Sequence, residues 1–68
     1  MRKKYSLIGI NGNAYCVMGY VSLAMQEVGI SKEEINQYTL NAMSSNYNHL
    51  LSVSLDMIDV CNKLTKNG

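Results

Sequence analysis

The sequence predicts a mainly α domain, three helices preceded by one short β-strand. Three observations carry that expectation. The first is the stretch 46–64, NYNHLLSVSLDMIDVCNKL. At 100° per residue, Val60, Val53, Leu64, Met57, Leu50, Cys61, Ser54, Tyr47, Ile58, Leu51 and Leu55 fall in one arc of roughly 220°. Asp59, Ser52, Lys63, Asp56 and His49 fill the remainder. A helix that covers one side of a core needs an apolar stripe a little over ~100° wide, so this one is expected to be buried on two sides. The second observation is a pair of upstream stretches that carry helical periodicity between capping and stop residues. The third is a low count of β-branched and aromatic residues, which argues against a larger sheet.

Residues 1–4 open the chain with Arg2, Lys3 and Lys4 and read as a frayed basic terminus. Residues 5–10, YSLIGI, are rich in strand formers, too short for a helix and closed by the turn signal Asn11-Gly12. A lone strand leaves its own backbone groups without partners. This one is expected to pair with its copy in a dimer, or with the chain end near Ile58 and Asn62 if the third helix stops early.

Residues 13–29 form the first helix, capped by Asn13 or Asn11 and stopped by Gly29 in the left-handed conformation. Ala14, Val17, Met18, Val21, Ala24, Met25 and Val28 make one apolar stripe. Cys16, Tyr20 and Leu23 make a second ridge, interrupted by Glu27. Tyr15, Gly19, Ser22 and Gln26 make the polar face. Gly19 costs about 1 kcal/mol against Ala inside a helix; it either permits a close helix approach or is simply tolerated.

Residues 31–45 form the second helix. Ser31-Lys32-Glu33-Glu34 is a capping box, with Ser31 at the N-cap and Glu34 at N3. Ile35, Tyr38, Thr39 and Ala42 point inward, Met43 lies at the border and Leu40 lies well outside, exposed. Ser44, Ser45 and Asn46 break this helix and cap the third. A strand reading competes for the stretch after Leu50, because Leu51, Val53, Leu55 and Met57 alternate with polar residues. Ile58 and Cys61 break that alternation, whereas the helical pattern runs from Tyr47 to Leu64. Residues 65–68 read as a tail.

With 68 residues there is room for one domain, 1–68, flexible at 1–4 and 65–68. A chain this short buries only about 60% of its unfolded surface. Small folds offset that with disulfides, a metal or self-association. One His and two Cys give no metal-ligand spacing. Cys16 and Cys61 stand alone, without a secretion signal, and are expected to be reduced, buried and cytoplasmic. The most apolar window, 14–25, has the length of a core helix, about a dozen residues, and no membrane span is expected. Self-association is the remedy left.

Charge argues in the same direction. The net charge is +1, but five of the six basic residues lie at the two ends. Between them one lysine faces five carboxylates, a net −4. A nucleic-acid-binding domain normally shows the reverse, a basic face on its folded part. A helix-turn-helix-like alternative, using the basic termini, has only Asn46, Asn48 and His49 as base readers, beside Asp56 and Asp59, which phosphates repel.

No catalytic, cofactor or metal site is legible, and no small-molecule substrate is indicated. Gly9-Ile10-Asn11-Gly12-Asn13 leads into a helix N-terminus, a geometry that can cradle an anion, but it lacks any nucleotide-binding glycine pattern. His49 pairs with no acid or thiol in sequence, and Asp59 is matched to Lys63 one turn later as a solvated pair. The residues expected to meet a partner are the spare apolar ones, Cys16, Tyr20, Leu23, Leu40, Leu51, Leu55 and Ile58, in a homodimer or with another protein.

Gly12-Asn13-Ala14 at a helix start, and Ala42-Met43-Ser44 followed by Tyr47-Asn48-His49-Leu50-Leu51, are similar to motifs of a family of small proteins of bacterial phages, plasmids and conjugative elements. The likeness spans about Ile8 to Ile58. It implies an accessory role on a mobile element and no catalytic residue. Where similar sequences often carry an acidic residue, this chain has Asn11.

Overall fold

The computed structural model describes residues 5–65. The basic stretch 1–4 and the end 66–68, both expected to be flexible, lie outside the described residues. Three helices form the fold: α1 (Ala14–Glu27), α2 (Lys32–Ala42) and α3 (Tyr47–Leu64). Each packs on the other two. The shortest dimension is 15 Å. Two helix layers with axes about 8–10 Å apart give that thickness, so no third layer covers either face.

Each helix begins on the side chain its sequence offers. The Asn13 Oδ1 accepts the Tyr15 N–H at 2.9 Å and the Asn11 Oδ1 accepts the Asn13 N–H at 2.8 Å. Both asparagines weighed for the cap therefore serve, in series. Ser31 Oγ accepts the Glu34 N–H at 3.3 Å, and Asn46 Oδ1 accepts the His49 N–H at 2.9 Å. These bonds satisfy donors that a helix start leaves open.

The helix ends are equally local in origin. Gly29 takes φ +86°, and behind it the Ile30 N–H donates to the Met25 carbonyl at 2.9 Å and the Gly29 N–H to the Gln26 carbonyl at 3.1 Å. That pair of bonds is the Schellman closure, which needs a residue tolerant of positive φ. α2 stops at Ala42, three residues before the expected end, because the Ser44 hydroxyl folds back onto the Asn41 carbonyl at 2.6 Å. Thr65, expected in the tail, instead caps α3: its N–H and hydroxyl donate to the Cys61 carbonyl at 3.1 and 2.9 Å. Residues 51–60 are wholly helical, which removes the strand alternative. The Lys63 ammonium lies 3.3 Å from Asp59, exposed on both sides, as the four-residue spacing predicts.

The core is the inner stripe of α1 meeting α2 and α3. Val17, Met18, Val21, Ala24 and Met25 are buried from α1, Ile35, Tyr38 and Ala42 from α2, and Leu50, Ser54, Ile58 and Cys61 from α3. Within the single chain the apolar arc of α3 is covered at its centre and not across its full width. Leu50, Ser54, Ile58 and Cys61 form its covered centre, while Leu55 on one flank and Val60 and Leu64 on the other stay exposed. Inside the core the Tyr38 and Ser54 hydroxyls bond at 2.7 Å, joining α2 to α3.

The expected β-strand is not formed, and no strand occurs among the described residues. Residues 5–10 run as an irregular arm. Its partners are side chains rather than a strand. The Asn62 side-chain amide accepts the Tyr5 N–H at 2.8 Å and donates to the Tyr5 carbonyl at 3.0 Å. Asn62 thus supplies both bonds a neighbouring strand would make, while α3 continues to Leu64. Neither of the two expected strand pairings is needed.

Gly19 has open space where a Cβ would stand, so no close helix approach depends on it. Gly19→Ala is expected to stabilise the fold by about 1 kcal/mol, the helix-propensity difference. The urea midpoint measures it, and an unchanged or lower midpoint contradicts it.

Candidate functional site

The arm lies along the seam between α1 and α3, bonded to both helices. Tyr5 is buried, and its hydroxyl donates to Glu27 Oε1 on α1 at 2.6 Å while its backbone is held by Asn62 on α3. The Ser6 N–H donates to the Tyr20 hydroxyl at 3.0 Å. Glu27, read from the sequence as a mere interruption of the second ridge, is the anchor for Tyr5. Past Ser6 the chain turns, with the Ile10 N–H facing the Leu7 carbonyl at 3.5 Å and Gly9 at φ +87°. Gly suits that third turn position because a side chain there is strained.

The Glu27 hydrogen bond, reinforced by burial and by the carboxylate charge, pushes the Tyr5 hydroxyl pKa from the ordinary 10.0 up to about 12. Burial also raises the Tyr38 hydroxyl, with its bond to Ser54 opposing, and raises the Cys61 thiol. For Tyr5 the folded chain keeps a proton that the unfolded chain releases. Its contribution is present below about pH 10 and is lost as pH rises toward about 12. Stability is therefore expected to fall across that interval, and less steeply in Tyr5→Phe. Urea midpoints taken at intervals from about pH 9 to about pH 12 test the difference; identical slopes contradict it.

Between the arm and α3 lies a groove of about 300 Å³ lined by Tyr5, Ser6, Leu7, Ile8, Leu55, Ile58, Asp59 and Asn62. Ile8 is 91% exposed and Leu55 56% exposed at its edges. A second groove, of about 260 Å³, is lined by Tyr15 and Met18 of α1, Ala42 and Met43, and Tyr47 and Leu50 of α3, among others. Tyr47 is held there by donating its hydroxyl to the Gly12 carbonyl.

The seven residues expected at a partner surface differ in exposure. Leu55 and Ile58 share the groove, with Ile58 buried at its floor. Tyr20 is half-buried and committed to the arm, and Leu51 is half-buried against the core. Cys16, Leu23 and Leu40 are exposed and line neither groove. Cys16 was expected to be a buried thiol, and that expectation is corrected. It lies on the outer ridge of α1, which α2 and α3 leave uncovered; Cys61 is the buried one, and both are free. Periodicity did not single out Asn62, Ile8, Tyr15 or Met43. Asn62 carried one usable signal, an amide inside the apolar arc of α3.

The remaining candidates resolve locally. The N–H of Tyr15 at the α1 start is taken by Asn13 and that of Asn13 by Asn11. The His49 Nε2 lies 3.0 Å from the Asn41 carbonyl oxygen and 3.2 Å from its Oδ1. With its proton on Nε2 the ring donates to both, bracing the end of α2 against the start of α3. Of the three candidate base readers, Asn46 caps α3 and His49 holds Asn41, leaving Asn48 exposed. Among the described residues no three His, Cys, Asp or Glu side chains gather where a metal would be held, and no helix is long and apolar enough to cross a membrane. Comparison of the chain with protein-family models, with curated proteins and with solved structures gives no match.

Proposed function

We propose that this chain is a small non-enzymatic interaction or regulatory protein that acts by associating with a second copy of itself, or with a protein partner, through exposed apolar surface. The carrying observation is the groove beside α3, where Ile8 and Leu55 stand in water above Leu7 and Ile58. A large aliphatic side chain held 91% exposed beside a second exposed leucine and an apolar floor gains from burial, at roughly 25 cal/mol per Å² of apolar surface removed from water. The thin two-layer body supports the same reading, since its three helices do not cover one another fully. An accessory role on bacterial mobile elements, in the cytoplasm, completes the proposal; it rests on the motif likeness at residues 12–14 and 42–51 and on the two unbridged thiols.

Light scattering at tens of micromolar is the test. A dimer is expected, and a monomer at that concentration overturns self-association. Leu55→Asp is expected to yield a monomer with unchanged helicity, because Leu55 is exposed in the single chain, whereas Ser52→Asp on the solvated face leaves the dimer intact. Retention on heparin at low salt that vanishes when residues 2–4 are removed would move the reading to nucleic acid instead.

A further inference from the structure

We infer that Asn11 is a site of spontaneous covalent modification in the folded chain: its side-chain amide condenses with the Gly12 nitrogen, releases ammonia and becomes a carboxylate at the start of α1. An asparagine followed by glycine can close a five-membered imide, because the two reacting atoms are held on adjacent residues and glycine puts no side chain in the way. The fold leaves those atoms open. Asn11 and Gly12 are exposed and lie outside the helices. The bonds that hold this turn fall on other atoms. The Asn13 N–H donates to Asn11 Oδ1 at 2.8 Å, and the Gly12 carbonyl accepts the Tyr47 hydroxyl. The Gly12 nitrogen and Asn11 Nδ2 bond to nothing among the described residues. Asn13 and Asn46 also stand at helix starts with Oδ1 accepting a backbone N–H. The nitrogens that follow them belong to Ala14 and Tyr47, the first residues of α1 and α3, where a side chain and helical backbone oppose ring closure.

In the first step the Gly12 nitrogen gives up its proton and bonds to Asn11 Cγ. Negative charge gathers on Oδ1, which already faces the Asn13 N–H at the positive end of α1. A donor placed there stabilises the developing charge. The Cγ–Nδ2 bond then breaks, and Nδ2 leaves with a proton as ammonia. Water opens the imide that remains. Cleavage between Cγ and the nitrogen gives aspartate on an unaltered backbone. Cleavage between the backbone carbonyl carbon and the nitrogen gives isoaspartate, whose main chain is one atom longer. Nothing is oxidised or reduced. The aspartate form keeps the oxygen that accepts the Asn13 N–H and adds a negative charge where the α1 dipole favours one. It also cancels the chain's net charge of +1. This inference does not depend on self-association.

The test holds the full chain warm at neutral pH for days and maps its peptides by mass spectrometry. The map separates Asn11 from the chain's other Asn-Gly step, Asn67-Gly68. Residue 11 is expected to gain the mass of an amide-to-acid exchange, while residues 13 and 46 stay asparagine. Urea below the unfolding transition should leave the rate unchanged, because the reacting atoms are open in the native chain. Gly12→Ala is expected to slow conversion on the order of tenfold. Its added methyl would meet the Tyr47 hydroxyl at 3.4 Å; should that unfold the chain, Asn11→Gln serves, since the longer side chain cannot close the same ring and the mass gain at residue 11 should vanish. Asn11→Asp is expected to keep the helicity and a urea midpoint no lower than that of the parent chain. An Asn11 that stays intact in the native chain yet converts once urea unfolds it overturns the inference. So does conversion no faster than at Asn13 and Asn46.

Discussion

Met25→Ala is expected to lower the unfolding free energy by about 2–5 kcal/mol. Met25 is fully buried on the inner stripe of α1 and accepts the closing bond of its own helix from Ile30. Truncation removes apolar contacts and leaves a cavity that three short helices cannot refill without moving their caps. A chain of this length has a total stability of only about 3–10 kcal/mol, so the loss is a large fraction of the whole. Met43→Ala is the contrast. Met43 is 54% exposed, and its loss should stay within about 0.5 kcal/mol. Urea midpoints of the two variants decide the matter, and comparable losses would mean that the core lies elsewhere.

Tyr38→Phe is expected to cost about 1–3 kcal/mol although it removes a single oxygen. Its hydroxyl is the partner of Ser54, which is fully buried. Phe leaves the serine hydroxyl without that partner and without water, so the loss approaches the desolvation cost of a polar group. Ser54→Ala strands the tyrosine hydroxyl in the same way. The double variant has no orphan, and its loss should fall well short of the sum of the two single losses. Additive losses in this cycle would show that the two hydroxyls do not depend on each other.

The pair also marks where sequence reasoning reaches its limit. Periodicity placed Ser54 inside the apolar arc of α3 and Tyr38 on the inner face of α2, but a 3.6-residue period cannot tell which two faces meet. The 16-residue separation of the two hydroxyls is closed only by the packing of α2 on α3. The arm shows the same limit more sharply. YSLIGI is rich in strand formers, yet Gly9 at φ +87° turns the chain, and the partners of the Tyr5 backbone come from the side chain of Asn62, 57 residues away. Cys16 and Cys61 were indistinguishable as small apolar residues until the α1/α3 contact covered one and left the other on the outer ridge.

Helix number, capping residues and turns follow from neighbours a few positions apart. Asn13, Ser31 and Asn46 reach N–H groups two or three residues ahead, and Gly29 needs only its missing Cβ to close α1. Those features are written locally because the atoms that make them are joined by a short stretch of chain. The course of residues 5–10, the burial of Ile58 and Cys61, and the exposure of Ile8 and Leu55 depend on which helix faces are brought together in space. No local pattern encodes that choice, because it is settled by the summed burial of all three helices at once.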